Sequence, residues 1–478
     1  MEREFEKLRK NGQFCEIKDK NPRGFIQWFD YMQKNKPQTN ALVAGLMVIL
    51  FGGQNIGWSI FNDHLDIQTW SGGYEDDGTV FWAITSFYLA AASGFLIGSL
   101  LVGKFSKINI YIFTTLLSAT SATCFIIHPS SIYVVVPARI IAGISYGITY
   151  LTILIHACEI AVPKLRGMIV ATVHFCLMIG VFTMSSSLIP VYKTRSYEVD
   201  PTKSMGLNAL ICLVSGMLLS LFLHKESPVY LIKKYHEEEA LNTMIRLRSE
   251  SHETATIRND FNEFCMMVQE DSQSSLNLFK YSYQFAIVMI VKLVFVSSFN
   301  MLINNYMLEL AKLHFYDAEN DLTATILSGI RWGAMLIGMF LIDVKRMKLF
   351  FISSFGSGLI LILLLFEPIT DTSFGAVVVT IGFQFFSGLA IGLISDIFLV
   401  DSVNTRVKPF FIAMTNIIEC SIQILLIVSY FYFKNISIMH FISIFGVIMI
   451  IGGAIAFTSI LPDTTGLSLR LARNKFIQ

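Results

Sequence analysis

The sequence predicts an all-α polytopic membrane protein with twelve transmembrane helices in two six-helix bundles, and three observations predict it. Apolar runs of about 20 residues recur twelve times nearly free of charge, the length a helix needs to cross the hydrocarbon core. The runs fall into two groups of six separated by one long charged segment, with basic clusters at matching places in each half, the trace of an internal repeat. The chain is 54% hydrophobic and 15% charged, and its formal net charge of +1 argues against a nucleic-acid partner. Only helices or closed barrels satisfy their backbone groups in lipid, and these runs have helix length.

In the first half the predicted spans run from Ala41 to Phe61, Val80 to Val102, Ile108 to Ile127, Ile132 to His156, Gly167 to Pro190 and Gly206 to His224. In the second they run from Phe285 to Leu308, Leu322 to Ile342, Lys348 to Phe366, Ser373 to Val400, Pro409 to Phe433 and Met439 to Leu461. The expected organisation is a segment over 1–40, a bundle over 41–224, a linker over 225–284, a second bundle over 285–461 and a tail over 462–478. In the linker, Leu241, Met244, Ile245 and Leu247 give one amphipathic stripe and Phe261, Phe264, Cys265 and Val268 another, so it reads as short helices covering one end of the bundles, too small for a core of its own.

Lys and Arg crowd the N-terminal segment and the even-numbered connections (Lys104, Lys107, Lys164, Arg166, Lys345, Arg346, Arg406, Lys408), while the first odd connection has only acids, Asp63 to Asp77. By the positive-inside rule both termini and the linker face the cytosol, with Lys193, Arg195 and Lys203 a mild exception. The expected location is an integral, multi-pass position, with the plasma membrane favoured, and no cleavable signal peptide is expected. None of the seven cysteines is placed for an extracellular disulfide or shares a metal-ligand spacing with another, and Asn435 opens a glycosylation sequon in a tight outer turn. No cofactor, metal site or catalytic constellation is expected, so an enzyme is not.

Two matched six-helix halves have a mechanical use, since a site near the midplane between rocking bundles opens alternately to each side. The sharpest motif runs through Pro137, Arg139, Gly143 and Gly147 to Glu159, Pro163, Arg166 and Gly167. It resembles the sugar porter family of the major facilitator superfamily, which includes animal glucose facilitators: an arginine opens the fourth span, small residues follow, and a glutamate precedes an arginine-glycine pair by seven positions. Lys225-Glu226-Ser227-Pro228 after the sixth span, Pro462-Asp463-Thr464-Thr465-Gly466 after the twelfth, and Gly53-Gln54-Asn55-Ile56-Gly57 in the first span resemble further signatures of that family. The resemblance implies a facilitative carrier of a sugar or similar small polar solute, working by alternating access, with the bilayer and the solute as its partners. It also implies gating roles for Arg139, Glu159, Arg166, Glu226, Asp343, Arg346 and Arg406, with Glu159 and Arg166 at helix ends where an interdomain ion pair holds the inner gate shut.

Proton-coupled members carry aspartate where Asn55 stands, and an amide does not titrate, so the resemblance implies uniport; the structural alternative for Asn55 is a packing hydrogen bond. Departures from the family cluster at the sugar site. His174 stands at the fifth-span glutamine, Val294 and Phe295 at the seventh-span pair, Arg331 near the eighth-span asparagine, and the tenth span offers Phe386 and Ser387. A sugar needs paired donors and acceptors to replace its water, so this thinning leaves two alternatives open: an organic-anion carrier, or a sensor-like paralogue that no longer transports. The candidate site is His174, Asn300, Asn304, Arg331 and Asn416, with Arg331 either recognising substrate or paired to Glu419. Lys292 and Asp396 are expected to snorkel toward the cytosolic helix ends.

Overall fold

The computed structural model describes residues 25–61, 77–189, 200–273, 281–314, 322–366, 373–432, 437–458 and 461–476. Cys15 and Asn435, with its sequon, lie outside the described residues. Twelve helices are long and apolar enough to cross a membrane. The first six are Val43–Ile60, Asp77–Leu101, Lys107–Ile127, Ile132–Ile160, Arg166–Ser186 and Pro201–Leu223. The eighth, ninth, eleventh and twelfth are Leu322–Leu341, Arg346–Leu363, Lys408–Tyr432 and Ile438–Phe457. The seventh and tenth spans are each broken near mid-depth, into Ser282–Ser298 and Met301–His314, and into Ser373–Leu389 and Ile391–Asp401. The sequence reading has these two as continuous helices, because neither break carries a proline or a charge.

Local chemistry sets the helix starts. Asp200 caps the sixth span, its Oδ1 accepting from the Thr202 N–H at 2.7 Å, and Pro201 takes the first helical position, where a missing N–H costs nothing. Close crossings need small residues: a Cβ on Gly147 would lie 2.3 Å from the Ala91 carbonyl oxygen of the second span. That contact lets the second and fourth spans meet backbone to backbone, so a glycine spacing legible in the sequence becomes a packing seam.

The two halves meet along the second span against the eleventh, the fifth against the eighth, and the lower half of the tenth against the fourth and fifth. The helices Lys36–Asn40 and Leu469–Lys475 and the linker lie at one end of this body, called here the linker face. The linker helices Pro228–Lys233, Glu237–Leu247 and Ala255–Gln273 enclose a small core of Leu231, Ile232, Ala240, Met244, Ile257 and Phe261. This corrects the expectation that the segment is too small for one: three short helices suffice when they also lean on the bundles. Asp271 fastens the linker to the second half, its Oδ2 accepting from the Thr405 N–H and hydroxyl at 2.9 and 2.6 Å and its Oδ1 from Arg473 at 2.7 Å.

Candidate functional site

A cavity of about 40 Å³ lies between the halves, walled by the first, second, fourth and fifth spans on one side and the seventh and eleventh on the other. At roughly 10–15 Å³ per water it has room for about three waters, so a sugar ring enters only when the walls part. Its polar lining is Tyr88, Tyr146, Tyr150, His174, Asn300, Asn416, Glu419 and Gln423, set among Phe87, Phe95, Phe295 and Phe299. Ring faces beside hydroxyls, amides and one carboxylate suit a small polar solute with apolar faces.

Three of the five residues expected at the site, His174, Asn300 and Asn416, line this cavity. Asn304 lies one turn away, its amide donating to the Asn300 carbonyl at 2.7 Å and its Oδ1 accepting from Gln384 at 3.4 Å. Arg331 is not in the lining and is not paired with Glu419. Its Nη2 donates to the Ser298 carbonyl at 2.8 Å and the Ser387 hydroxyl at 2.6 Å, and its guanidinium lies 4.8 Å from the centre of the Phe299 ring. Ser298 ends the first helix of the broken seventh span and Ser387 precedes the break in the tenth, so Arg331 clamps both discontinuities, where carbonyls freed from the helix ladder need donors. Sequence reasoning missed Gln423, whose amide caps the Phe299 carbonyl at 2.9 Å, and the three tyrosines, which carry no motif.

Beside the cavity lies a buried charge cluster that sequence reasoning sent to the helix ends. The ammonium of Lys292, 1% exposed, is 2.7 Å from Glu419 Oε2, 2.9 Å from Asn416 Oδ1 and 3.8 Å from Asp396 Oδ1. The Tyr150 hydroxyl donates to Asp396 Oδ1 at 2.6 Å, and His174 Nδ1 lies 3.4 Å from Asp396 Oδ2. Neither Lys292 nor Asp396 snorkels, because each finds partners inside the body that replace hydration. Glu419 therefore pairs with Lys292 and not with Arg331.

In the first half, Arg139 is wrapped in neutral acceptors. Its Nε donates to the Ala83 carbonyl at 2.7 Å, its Nη1 to the Asn55 carbonyl and Oδ1 at 3.1 and 3.4 Å, its Nη2 to the Ser59 hydroxyl at 2.5 Å, and Trp58 covers it at 4.3 Å. The Asn55 amide itself donates to the Phe51 carbonyl of its own helix at 3.1 Å.

At the linker face, Asp401 is the hub. Its carboxylate takes Arg166 Nε at 3.0 Å, Arg346 Nη1 at 3.5 Å and the Thr464 hydroxyl at 2.7 Å, joining the fifth span to the second half. Arg346 also reaches Asp343 at 3.2 Å, and Asp343 accepts from the Met168 N–H at 2.8 Å. Burial pushes the Asp343 carboxyl up, against the pull of Arg346 and that N–H. Gly167 permits the contact, since a Cβ there would lie 2.1 Å from Asp343 Oδ1. Arg166 thus makes the interdomain ion pair with Asp401, while Glu159 accepts from the Ser227 hydroxyl at 2.5 Å. Glu226 takes the Lys107 N–H at 2.8 Å, and Arg406 donates to the Ser272 carbonyl at 3.2 Å, away from the hub. Asp401 is not among the gating residues that the sequence suggests; its place five residues before Arg406 was the available signal.

The model of the family described as "Sugar (and other) transporter" matches residues 31–476. The chain belongs to this family. Among its curated relatives, facilitated glucose transporter member 7 of solute carrier family 2 from mouse is 28% identical over 203 residues, 41% of this chain and 38% of its own length. The high-affinity gluconate transporter ght3 of Schizosaccharomyces pombe is 33% identical over 165 residues, 32% of this chain and 26% of its own. Sugar transporter ERD6-like 17 of Arabidopsis thaliana is 27% identical over 169 residues, 34% of this chain and 32% of its own. These alignments span between 26% and 38% of the relatives' lengths. Over the whole fold, a proton:xylose symporter structure with bound 6-bromo-6-deoxy-D-glucose superposes with TM-score 0.75 at 16% identity, covering 93% of this chain and 100% of that one. The inward-open xylose transporter from E. coli gives 0.64 at 14%, covering 90% and 98%. The sugar-transporter family is one of carriers and not of enzymes, and the chain is a multi-pass integral membrane protein of the major facilitator fold.

Proposed function

We propose that the chain carries a small, uncharged polar solute, a sugar or polyol, across a membrane by alternating access, with the linker face and both termini cytosolic and the plasma membrane as its place. The observation that carries this reading is the cavity between the halves, lined by tyrosines, amides and phenylalanine faces, with the Asp401 hub joining the halves at the linker face. Basic residues concentrated on the linker face support the orientation. His174, Asn300, Asn416, Glu419 and Gln423 would meet the solute, while Asn304 and Arg331 would shape the broken helices behind it. Asp401, Arg166, Arg346 and Asp343 form the inner gate in this reading, with Glu226 and Glu159 bracing the first half. An organic anion fits less well, because the one fixed charge in the lining is the carboxylate of Glu419 and Arg331 is engaged elsewhere.

Asn55 holds no proton for Arg139 to govern, which supports facilitation down the solute gradient as far as that pair is concerned. The buried cluster favours a second reading of the driving force, developed below. Uptake of a labelled panel of hexoses, disaccharides, polyols and organic anions into proteoliposomes tests the assignment. Saturable exchange of neutral solutes supports it; exchange of anions alone, or none from folded protein, overturns it.

A further inference from the structure

We infer that this carrier binds a transported proton between His174 and Asp396, a site in a different part of the fold from the Asn55–Arg139 pair. The inference rests on the carrier reading above and adds its driving force.

Two buried polar atoms face one another there with nothing between them. His174 Nδ1 and Asp396 Oδ2 are 3.4 Å apart, the side chains are 2% and 1% exposed, and neither atom has a hydrogen-bond partner. A proton on Nδ1 satisfies both. The pocket for the ring is built: a Cβ on Gly392 would lie 2.1 Å from His174 Nε2, so the imidazole occupies the space of a missing side chain.

Charge points the same way. Facing Asp396 are Tyr150 from the fourth span, His174 from the fifth, Lys292 from the seventh and Glu419 from the eleventh, with Tyr146 beyond. Two carboxylates stand against one ammonium, so with neutral His174 the cluster carries a net charge of −1 in a medium where unbalanced charge is costly. Arg139, buried among the first, second and fourth spans, is held by carbonyls, an amide and a hydroxyl and not by this cluster. Binding one proton brings the cluster to neutrality.

The site also spans the moving interface, since His174 belongs to the first half and Asp396 to the second. A proton entering from the face opposite the linker adds to the Nδ1 lone pair, and the imidazolium pairs with Asp396 and favours the closed interface. Opening the linker face parts the two residues and admits water. The N–H bond then breaks, the proton leaves as hydronium on that side with the solute, and neutral His174 remains. A neutral solute is thereby accompanied by one positive charge.

The test uses the full chain in proteoliposomes with a solute that it exchanges. Wild-type protein should accumulate that solute above equilibrium when the outside is acidic, with the effect lost on adding a protonophore. Asp396→Asn should keep exchange and lose accumulation. Wild-type exchange with no accumulation under any pH gradient overturns the proton site and leaves the carrier reading standing; no exchange of any solute removes the carrier reading. Nitrogen-15 NMR of histidine-labelled protein, with the His174 signal identified by its loss in His174→Gln, judges the site without flux. A ring whose proton uptake as the pH is lowered changes in Asp396→Asn supports the assignment, and a ring that stays neutral at every pH at which the protein remains folded overturns it.

Discussion

Replacing Asp401 by Asn removes one charge from the most heavily engaged contact between the halves. In the closed state Arg166 and Arg346 are 2% and 1% exposed and share that carboxylate at 3.0 and 3.5 Å. Taking one partner from a buried ion pair costs about 3–5 kcal/mol, because the remaining charge is left in a dry site. Asparagine keeps an acceptor for the Thr464 hydroxyl, which places the expected cost near the lower end, about 3 kcal/mol. When the linker face opens, both guanidiniums reach water and the cost disappears, so the full difference acts on the open-closed equilibrium. About 3 kcal/mol is roughly a hundredfold, enough to bring a population closed about 99 to 1 close to parity. Spin labels at Lys104 and Lys345, on opposite halves of the linker face and in a cysteine-free background, read this directly as a second, longer distance in pulsed dipolar spectra. An Asp401→Asn distribution identical to wild type would refute the assignment of the hub as the gate.

Gly167→Ala should act in the same direction without altering charge, since the added methyl would lie 2.1 Å from Asp343 Oδ1 and 2.8 Å from Arg346 Nη2; the same label pair should show the longer distance. Arg331→Gln should lower thermal stability by about 1–3 kcal/mol and reduce expression while leaving the order of solute preference intact, and a reordered preference in competition uptake would return Arg331 to the binding site. Glu226, beyond the sixth span, is held at about 2: burial pulls its carboxyl up, but His224, His156, Lys107 and the Ser227 N–H together outweigh it. A depressed carboxylate stabilises the fold above its unfolded value of 4.5 and loses that contribution as pH falls toward about 2, so Glu226→Gln should flatten the stability-pH curve in that window, measured by thermal unfolding in detergent.

What the sequence made legible follows from how far each signal reaches along the chain. Spans are local, because about 20 charge-free residues announce themselves, and glycine spacing in the fourth span is local too. Arg166 and Arg346 were legible as gating candidates because the family resemblance singles out those positions. Their partner was not, since Asp401 lies 235 residues from Arg166 and only folding brings it near. The same holds for Lys292, which meets Glu419 across 127 residues and was misread as a surface cation for want of a visible partner. The breaks in the seventh and tenth spans left a fainter trace: Ser297, Ser298 and Asn300 crowd one, and Asn300 caps the second segment, its Oδ1 accepting from the Ile303 N–H at 2.9 Å.

Those breaks explain how the second half brings a carboxylate to the interface. A continuous helix closes its own backbone hydrogen bonds, whereas a broken one frees carbonyls and turns its flanking residues inward. Arg331 satisfies the breaks, as its bonds to Ser298 and Ser387 show, and lies outside the cavity lining. The second segment of the tenth span, starting at Ile391 just after its break, carries Asp396 toward the interface. The first half has no such breaks among its described helices, and Arg139, buried within it, is met by an amide, a hydroxyl and carbonyls. In this arrangement Asn55 signals where a proton is not held, and absence of coupling at that pair is no measure of coupling elsewhere. Converting Asn55 to Asp should therefore add a second proton site beside Arg139 without displacing the one at His174, and pH-driven accumulation in Asn55→Asp combined with Asp396→Asn separates the two.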